Sequence, residues 1–336
     1  MPAKPSKRKA AGAGRWSEAQ IERARLFAIR KFLLPKHPDS APRLRNADPR
    51  HNVVAVGVAR KRTANRDQTA VGITFYVRHK ISDPAAVPTK FRLPRQIYGI
   101  PTDVLEAGEP AFLFGRRHPS WPARPGALLL VRQPNGMEQV GTYGALVEDE
   151  NGRRYILSNN HVLADFDRNP PGTRIFQPGR PFQIARLRVT VPLDPFNPND
   201  TDCALARIGS GAHARASLAA PAGPLFSGTP TAATLGMRVA KRGAASGTTA
   251  GRVQSPTLAV DLGGFHFDNL IQVEDEDDAF CDHGDSGALL VDEATHHPVA
   301  LLIGRMGHFN FACSLDRVLA RLSAALGSAL RILVSP

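Results

Sequence analysis

Gly284-Asp285-Ser286-Gly287 carries the sharpest chemical signal in the sequence. A nucleophilic serine needs its hydroxyl presented on a tight turn. Flanking glycines allow that turn and let backbone amides converge on one point. The amides of Gly284 and Ser286 are therefore candidates for holding an oxyanion, and residues 288–291 (ALLV) read as the strand beneath the turn. The competing reading is an ordinary Gly-Asp-Ser-Gly hairpin. A serine hydroxyl is a weak nucleophile until a base takes its proton. His161 follows the β-type run 155–158 (YILS) in SNNHVLAD, at a strand end where a short helical turn can begin. Taken singly, a histidine there is equally a packing residue. Asp202 opens a small apolar run, 203–206 (CALA), close enough to a core to accept from an imidazole; Asp200, two residues earlier, is its rival. His283 lies beside Ser286 on the same turn and does not face it. His161, Asp202 and Ser286 are 41 and 84 residues apart, and together they have the parts for acyl transfer through a serine ester.

The elements that must position these residues are mostly short strands. From residue 127 onward, apolar runs alternate with Gly, Pro, Asn and Asp turns: ALLLV, QVGTYGALV, RRYILS, TRIF, FQIARLRVTV and DCALARI. After a Pro/Ala/Gly-rich stretch, 208–230, a second series follows: MRVAKRG, TAGRV, TLAVDL, DNLIQV, GALLVD and PVALLIG. Two sets of about six strands predict two antiparallel barrels rather than a parallel sheet. Residues 315–326 (LDRVLARLSAAL) form an amphipathic helix capping the body. Upstream, Ser17 and Gln20 fit a capping box for a helix over 21–34 that Pro35 stops, and packing on the body is its expected role rather than lying on a membrane. The runs 52–58 and 70–78 read as a hairpin joined by the polar loop 61–68, and 97–104 as another strand. The organisation is thus a basic arm and amphipathic helix (1–48), a small α+β module (49–107), a linker (108–126) and a body (127–336). Within the body the first barrel covers about 127–215, the second about 236–313 and the helix about 314–328.

Composition bounds the partners. At 336 residues, 42% hydrophobic and 22% charged, the chain has an ordinary globular mix, which argues against wholesale disorder. Its net charge of +13 is uneven: residues 1–65 hold 16 basic and 4 acidic side chains, and residues 66–336 hold 27 and 26. A uniformly basic nucleic-acid-binding domain is excluded. The arm can touch polyanions weakly and non-specifically, or be a solvated tail. No transmembrane span or Sec-type signal is seen, and a cytoplasmic location follows as an expectation. Three cysteines, Cys203, Cys281 and Cys313, without a signal argue against a disulfide framework, and the absence of CxxC argues against a zinc knuckle.

Taken in order, histidine, aspartate, serine differ from the α/β-hydrolase and subtilisin arrangements. SNNHVLAD, TDCALARI and GDSGALLV, with KRGAASGTTAGRV opening the second strand series, make residues 127–326, about 60% of the chain, resemble trypsin-like serine peptidases of the chymotrypsin clan. The segment NVVAVGV…AVGITFYVRHKI…IYGIPTDV resembles the leader module of bacterial relatives similar to plant proteases of the narrow-leaf type. The resemblance implies a mainly β fold of two six-stranded Greek-key barrels with the site between them. It implies Ser286 as nucleophile, His161 as general base and then acid, Asp202 as its orienter, the amides of Gly284 and Ser286 as oxyanion hole, and no metal or organic cofactor. The expected partner is a protein or peptide substrate. It implies a pocket floor about six residues before the serine, at Ala279 or Phe280, suited to small or apolar side chains. The acidic run Glu274-Asp275-Glu276-Asp277-Asp278 keeps other readings open: Asp277 or Asp278 in the pocket selecting Lys or Arg, a cation site, docking of the basic arm, or a solvated loop. Cys281 and Cys313 are spaced like a pocket-bracing disulfide in secreted relatives, which a reducing compartment would leave open. No zymogen-type new N-terminus is visible. Two rivals to a peptidase remain: a binding scaffold that keeps the fold with little turnover, and a nucleic-acid-associated protein working through its arm.

Overall fold

A computed structural model describes residues 16–33, 52–63, 66–81, 87, 89, 92–112, 123–177, 182–209, 228–276 and 280–333. It is mainly β, with a helix near each end of the described chain. Helix α1 (Glu18–Ala28) starts where the capping box predicts: Ser17 Oγ accepts from the Gln20 amide, and Gln20 Oε1 accepts from the Ser17 amide. A π-helical turn, Ile29–Leu33, continues it. The face bearing Ala24, Ala28, Ile29 and Leu33 packs on Val56, Ile73, Phe75, Ile97, Ile100 and Ala259, so the helix lies on the body. Arg25, 1% exposed, reaches from it to Glu22 and to Asp268.

The strands before the linker are β1 (Val53–Thr63), β2 (Arg66–Val77), β3 (Gln96–Ile97) and β4 (Ile100–Glu106); β5 (Ala111–Phe112) lies within it. The hairpin β1–β2 forms as expected, but its pairing runs on to Thr63↔Arg66, so the polar loop of 61–68 shrinks to the hairpin tip. The expected single strand 97–104 is two, folded at Tyr98-Gly99, where both φ angles are positive, as in a type I′ hairpin turn. The body contributes β6 (Leu128–Arg132), β7 (Glu138–Thr142), β8 (Ala145–Asp149), β9 (Arg154–Ser158), α2 (Asn160–Leu163), β10 (Arg174–Phe176), β11 (Gln183–Thr190) and β12 (Ala204–Ile208). Then follow β13 (Arg238–Gly243), β14 (Gly247–Leu262), β15 (Phe265–Asp275), β16 (Leu289–Asp292), β17 (Pro298–Met306), β18 (Phe309–Ser314), α3 (Leu315–Leu326) and β19 (Leu330–Ile332).

These strands form two sheets, of eight and eleven strands rather than six and six. The smaller has the order β19-β8-β9-β12-β11-β10-β6-β7. It exceeds the expected six because QVGTYGALV breaks into β7 and β8, and because β19, beyond α3, pairs with β8. The larger has the order β13-β16-β17-β18-β15-β14-β1-β2-β4-β3, with β5 on the edge of β17 and β13 also paired to β14. Strands β1 to β4 thus extend this sheet through Ala55↔Val260 and its neighbours. TAGRV and TLAVDL are one bulged sixteen-residue strand, β14.

Continuous apolar runs arise because strands are covered on both faces. In β9, Tyr155 and Leu157 enter a cluster shared by the two sheets, while Ile156 enters the small sheet's own core with Leu129, Val131 and Ala206. In β17, Leu301 and Ile303 enter the shared cluster, and Ala300 and Leu302 a core with Val239, Val273 and Leu290. The period-2 alternation of strand side chains therefore puts three clusters into two sheets.

Candidate active site

His161 and Asp202 meet because β9 and β12 are antiparallel neighbours. Ser158, the last residue of β9, pairs with Ala204, the first of β12. His161 lies three residues past one strand, and Asp202 two residues before the other. Asn159, immediately before α2, donates from Nδ2 to the Asp202 carbonyl at 2.8 Å; Asn160 Nδ2 donates to Asp167 and to the Val191 carbonyl. The His161 amide donates to Asp202 Oδ1 at 3.1 Å, and His161 Nδ1 lies 2.5 Å from Oδ2. Neither side chain is exposed. Asp200 is elsewhere: it pairs with Arg321 at 2.9 Å and Arg317 at 3.5 Å, both on α3.

Ser286 sits on a loop tied down from three sides. Gly284 and Gly287 have φ of 109° and 89°. A Cβ on Gly287 would lie 2.2 Å from Ser158 Oγ and 2.5 Å from the Thr142 carbonyl oxygen, so only glycine fits this approach to the end of β9, the strand that leads into His161. The Thr142 amide donates to the Ser286 carbonyl and Thr142 Oγ1 to the Gly284 carbonyl, each at 2.8 Å. Asp285 points inward. Lys241 Nζ, Ser246 Oγ and the amides of Ala245, Ser246 and Asp282 all donate to its carboxylate. Burial works against the charge, but Lys241 and these donors outweigh it and hold the carboxyl below its usual range. Among the described residues, the amides of Gly284 and Ser286 donate to no acceptor. The Ser286 hydroxyl donates to the Ile303 carbonyl at 3.1 Å. A hydroxyl has one proton to give, so it cannot donate to His161 while it donates to Ile303.

Aromatic rings surround the imidazole. Phe112 lies 4.5 Å from it and Phe166 5.8 Å, centroid to centroid. Phe166 belongs to the run Asp165-Phe166-Asp167, all at positive φ, and stacks on Phe265 at 5.7 Å. Sequence reasoning missed Lys241, Phe112 and Phe166. Lys241 was findable: along Val239-Ala240-Lys241-Arg242-Gly243 it shares the inward parity of Val239.

The remaining candidates are dispersed. Phe280 is buried with Val253 and Val273 in the second sheet's core, under Lys241 Nζ at 5.6 Å from its ring. Ala279, Asp277, Asp278 and the basic arm up to residue 15 lie outside the described residues. Glu276 pairs with Arg238 and Arg252, and Asp275 accepts from Asn310. All three cysteines are free and buried. Cys281 Sγ donates to Asn310 Oδ1 at 2.7 Å, whereas Cys313 Sγ accepts from the Asp202 amide at 3.3 Å. Among the described residues no helix is long and apolar enough to cross a membrane.

No family model matches the chain, and no curated protein matches it. Solved structures do. A glutamic-acid-specific serine protease, described as using a histidine triad in substrate binding, is 15% identical; the match covers 63% of this chain and 100% of that one, with a TM-score of 0.48. Thermobifida fusca protease A is 15% identical over 68% of this chain and 98% of that one, at 0.45. Cellulomonas bogoriensis chymotrypsin is 18% identical over 63% and 98%, at 0.44. Likeness of this degree says nothing of activity.

Proposed function

We propose that this protein is a serine endopeptidase. The observation that carries the reading is the His161–Asp202 pair: one carboxylate takes both the backbone amide and Nδ1 of the same histidine, at 3.1 and 2.5 Å, in a site without exposure. A carboxylate so placed favours the proton on Nδ1 and leaves Nε2 as the basic nitrogen.

The reaction follows from these groups. Ser286 Oγ, rotated from Ile303, bonds to the carbonyl carbon of an extended peptide while His161 Nε2 takes its proton. The carbonyl oxygen becomes an oxyanion, for which the Gly284 and Ser286 amides are available donors. The carbon–nitrogen bond then breaks, the departing amine takes the proton from Nε2, and Ser286 is left acylated. Water adds to the ester, giving its proton to Nε2; the acid leaves, and the proton returns to Ser286. Asp202 stays ionised throughout and stabilises the imidazolium. Lys241 and Asp285 hold the serine loop and exchange no proton. A two-barrel peptidase body fits the double pairing of β13 with β14 and β16.

A second reading, a binding protein with this fold and little turnover, is favoured by the Ser286–Ile303 hydrogen bond. A fluorophosphonate separates the two. In an activated site Ser286 Oγ bonds to phosphorus, fluoride leaves and His161 takes the proton. We expect peptide mapping to find the adduct on Ser286, and to lose it in Ser286→Ala and His161→Ala. A folded protein that never acquires the adduct would leave the binding reading.

A further inference from the structure

Ser286, His161 and Asp202 are all wholly buried, although a peptide must reach them. Part of the cover is the chain's own β5. Ala111 and Phe112 pair antiparallel with Arg305 and Gly304 on β17. Gly304 follows Ile303, whose carbonyl receives the Ser286 hydroxyl. Phe112 is 6% exposed, and its ring rests 4.5 Å from the His161 ring, 5.1 Å from Phe166 and 6.4 Å from Phe267. The recess is shaped to this occupant. A Cβ on Gly263 would stand 2.7 Å from the Phe112 ring, and a Cβ on Gly304 would stand 2.6 Å from the Ala111 carbonyl oxygen.

A short extended segment on a sheet edge, with one side chain in a recess, is how sheets bind peptides: main-chain pairing holds the strand and the recess selects the side chain. We propose that Ala111–Phe112 is a tethered peptide occupying the strand-docking edge of the active site, so that the resting chain is self-inhibited. The partner that displaces it is an extended peptide with a large apolar or aromatic side chain in the Phe112 position. The proposal rests on the peptidase reading above. It accounts for two features at once: part of the burial of the site, at His161, and a serine hydroxyl engaged by the same strand that holds β5. Two residues of pairing make a weak anchor, so β5 can leave while the long ladders of both sheets stay intact.

The test uses the full chain and the rate of fluorophosphonate labelling. Phe112→Ala empties the recess. Gly304→Ala pushes β5 off the edge by a different route and leaves Phe112 in place. Both are expected to label at least ten-fold faster than wild type. The capped hexapeptide of residues 107–112, Ala-Gly-Glu-Pro-Ala-Phe, added in trans should slow Phe112→Ala again; the same peptide ending in alanine should not. Equal labelling rates in the three proteins overturn the proposal, as does faster labelling that the peptide fails to reverse. Absence of label in every form overturns the peptidase reading instead, so the two failures are told apart.

Discussion

Lys241 Nζ stands 2.7 Å from Asp285 Oδ2, with neither side chain exposed. The residue next to the candidate nucleophile is thus anchored by a cation from β13, the strand paired with the β16 that follows the serine loop. The loop is held by groups the folded chain already contains.

Lys241→Met would leave Asp285 buried without its cation. Breaking such a pair costs about 3–5 kcal/mol, which lowers Tm by about 4–7 °C for a chain of this length. Adding Asp285→Asn should restore much of this, since the charge then goes with its partner. Thermal denaturation of the single and double variants checks it; a single variant melting with wild type would count against the anchor.

The same carboxylate predicts a pH dependence. Its native pKa is depressed because Lys241 and its hydrogen-bond donors outweigh burial. The stabilisation is therefore present above the ordinary aspartate pKa of about 3.9 and is lost as pH falls through the lower native value. Urea denaturation from pH 7 to pH 2.5 should show wild type losing its advantage over the Lys241→Met/Asp285→Asn double variant only toward the acid end.

Asp202 and Asp200 make opposite predictions. Asp202→Asn removes the charge that orients His161 and should lower peptidase turnover by about 10⁴-fold with the fold intact. Asp200→Asn loses only partly exposed pairs with Arg317 and Arg321, worth about 0–1 kcal/mol, and should leave turnover within about two-fold. Steady-state hydrolysis of a peptide library that wild type cleaves decides between them.

Thr142 joins the two halves of the site. Its Oγ1 donates to the Gly284 carbonyl and accepts from the Ala244 amide at 3.0 Å. Thr142→Val keeps the shape, orphans both groups and should cost about 1–3 kcal/mol. Fluorophosphonate labelling should slow as the Gly284 turn loosens; unchanged labelling and Tm would show that the turn holds without it.

The thiols should be inert. Desolvation raises the pKa of Cys203, Cys281 and Cys313 well above the ordinary thiol value. A thiol reagent should count three reactive groups after unfolding and close to none before, with no change in mass on reduction.

What could be read from the sequence was local. The capping box at Ser17 and Gln20 fixes the start of α1, and 315–326 matches α3 residue for residue. The His161–Asp202 contact was legible because each residue flanks an apolar run, and those runs pair. Long-range register was not legible. Nothing in NVVAVGV says that β1 docks on β14, some 200 residues away, and nothing in residues 330–332 says that they pair with β8. β5 was hidden for the same reason: two residues in a proline-rich connector have no period to read, and only the edge of β17 makes them a strand. Strand parity marks Lys241 as inward, but its partner Asp285, 44 residues on, is a long-range contact that parity does not name.

Synthesis runs from the N-terminus, so Phe112 leaves the ribosome 174 residues before Ser286. The edge that receives it, β17, comes later still. When the last strand of the site folds, the segment that fills it is already present and tethered at high local concentration. On the self-inhibition proposed above, a newly made molecule closes on itself as it folds.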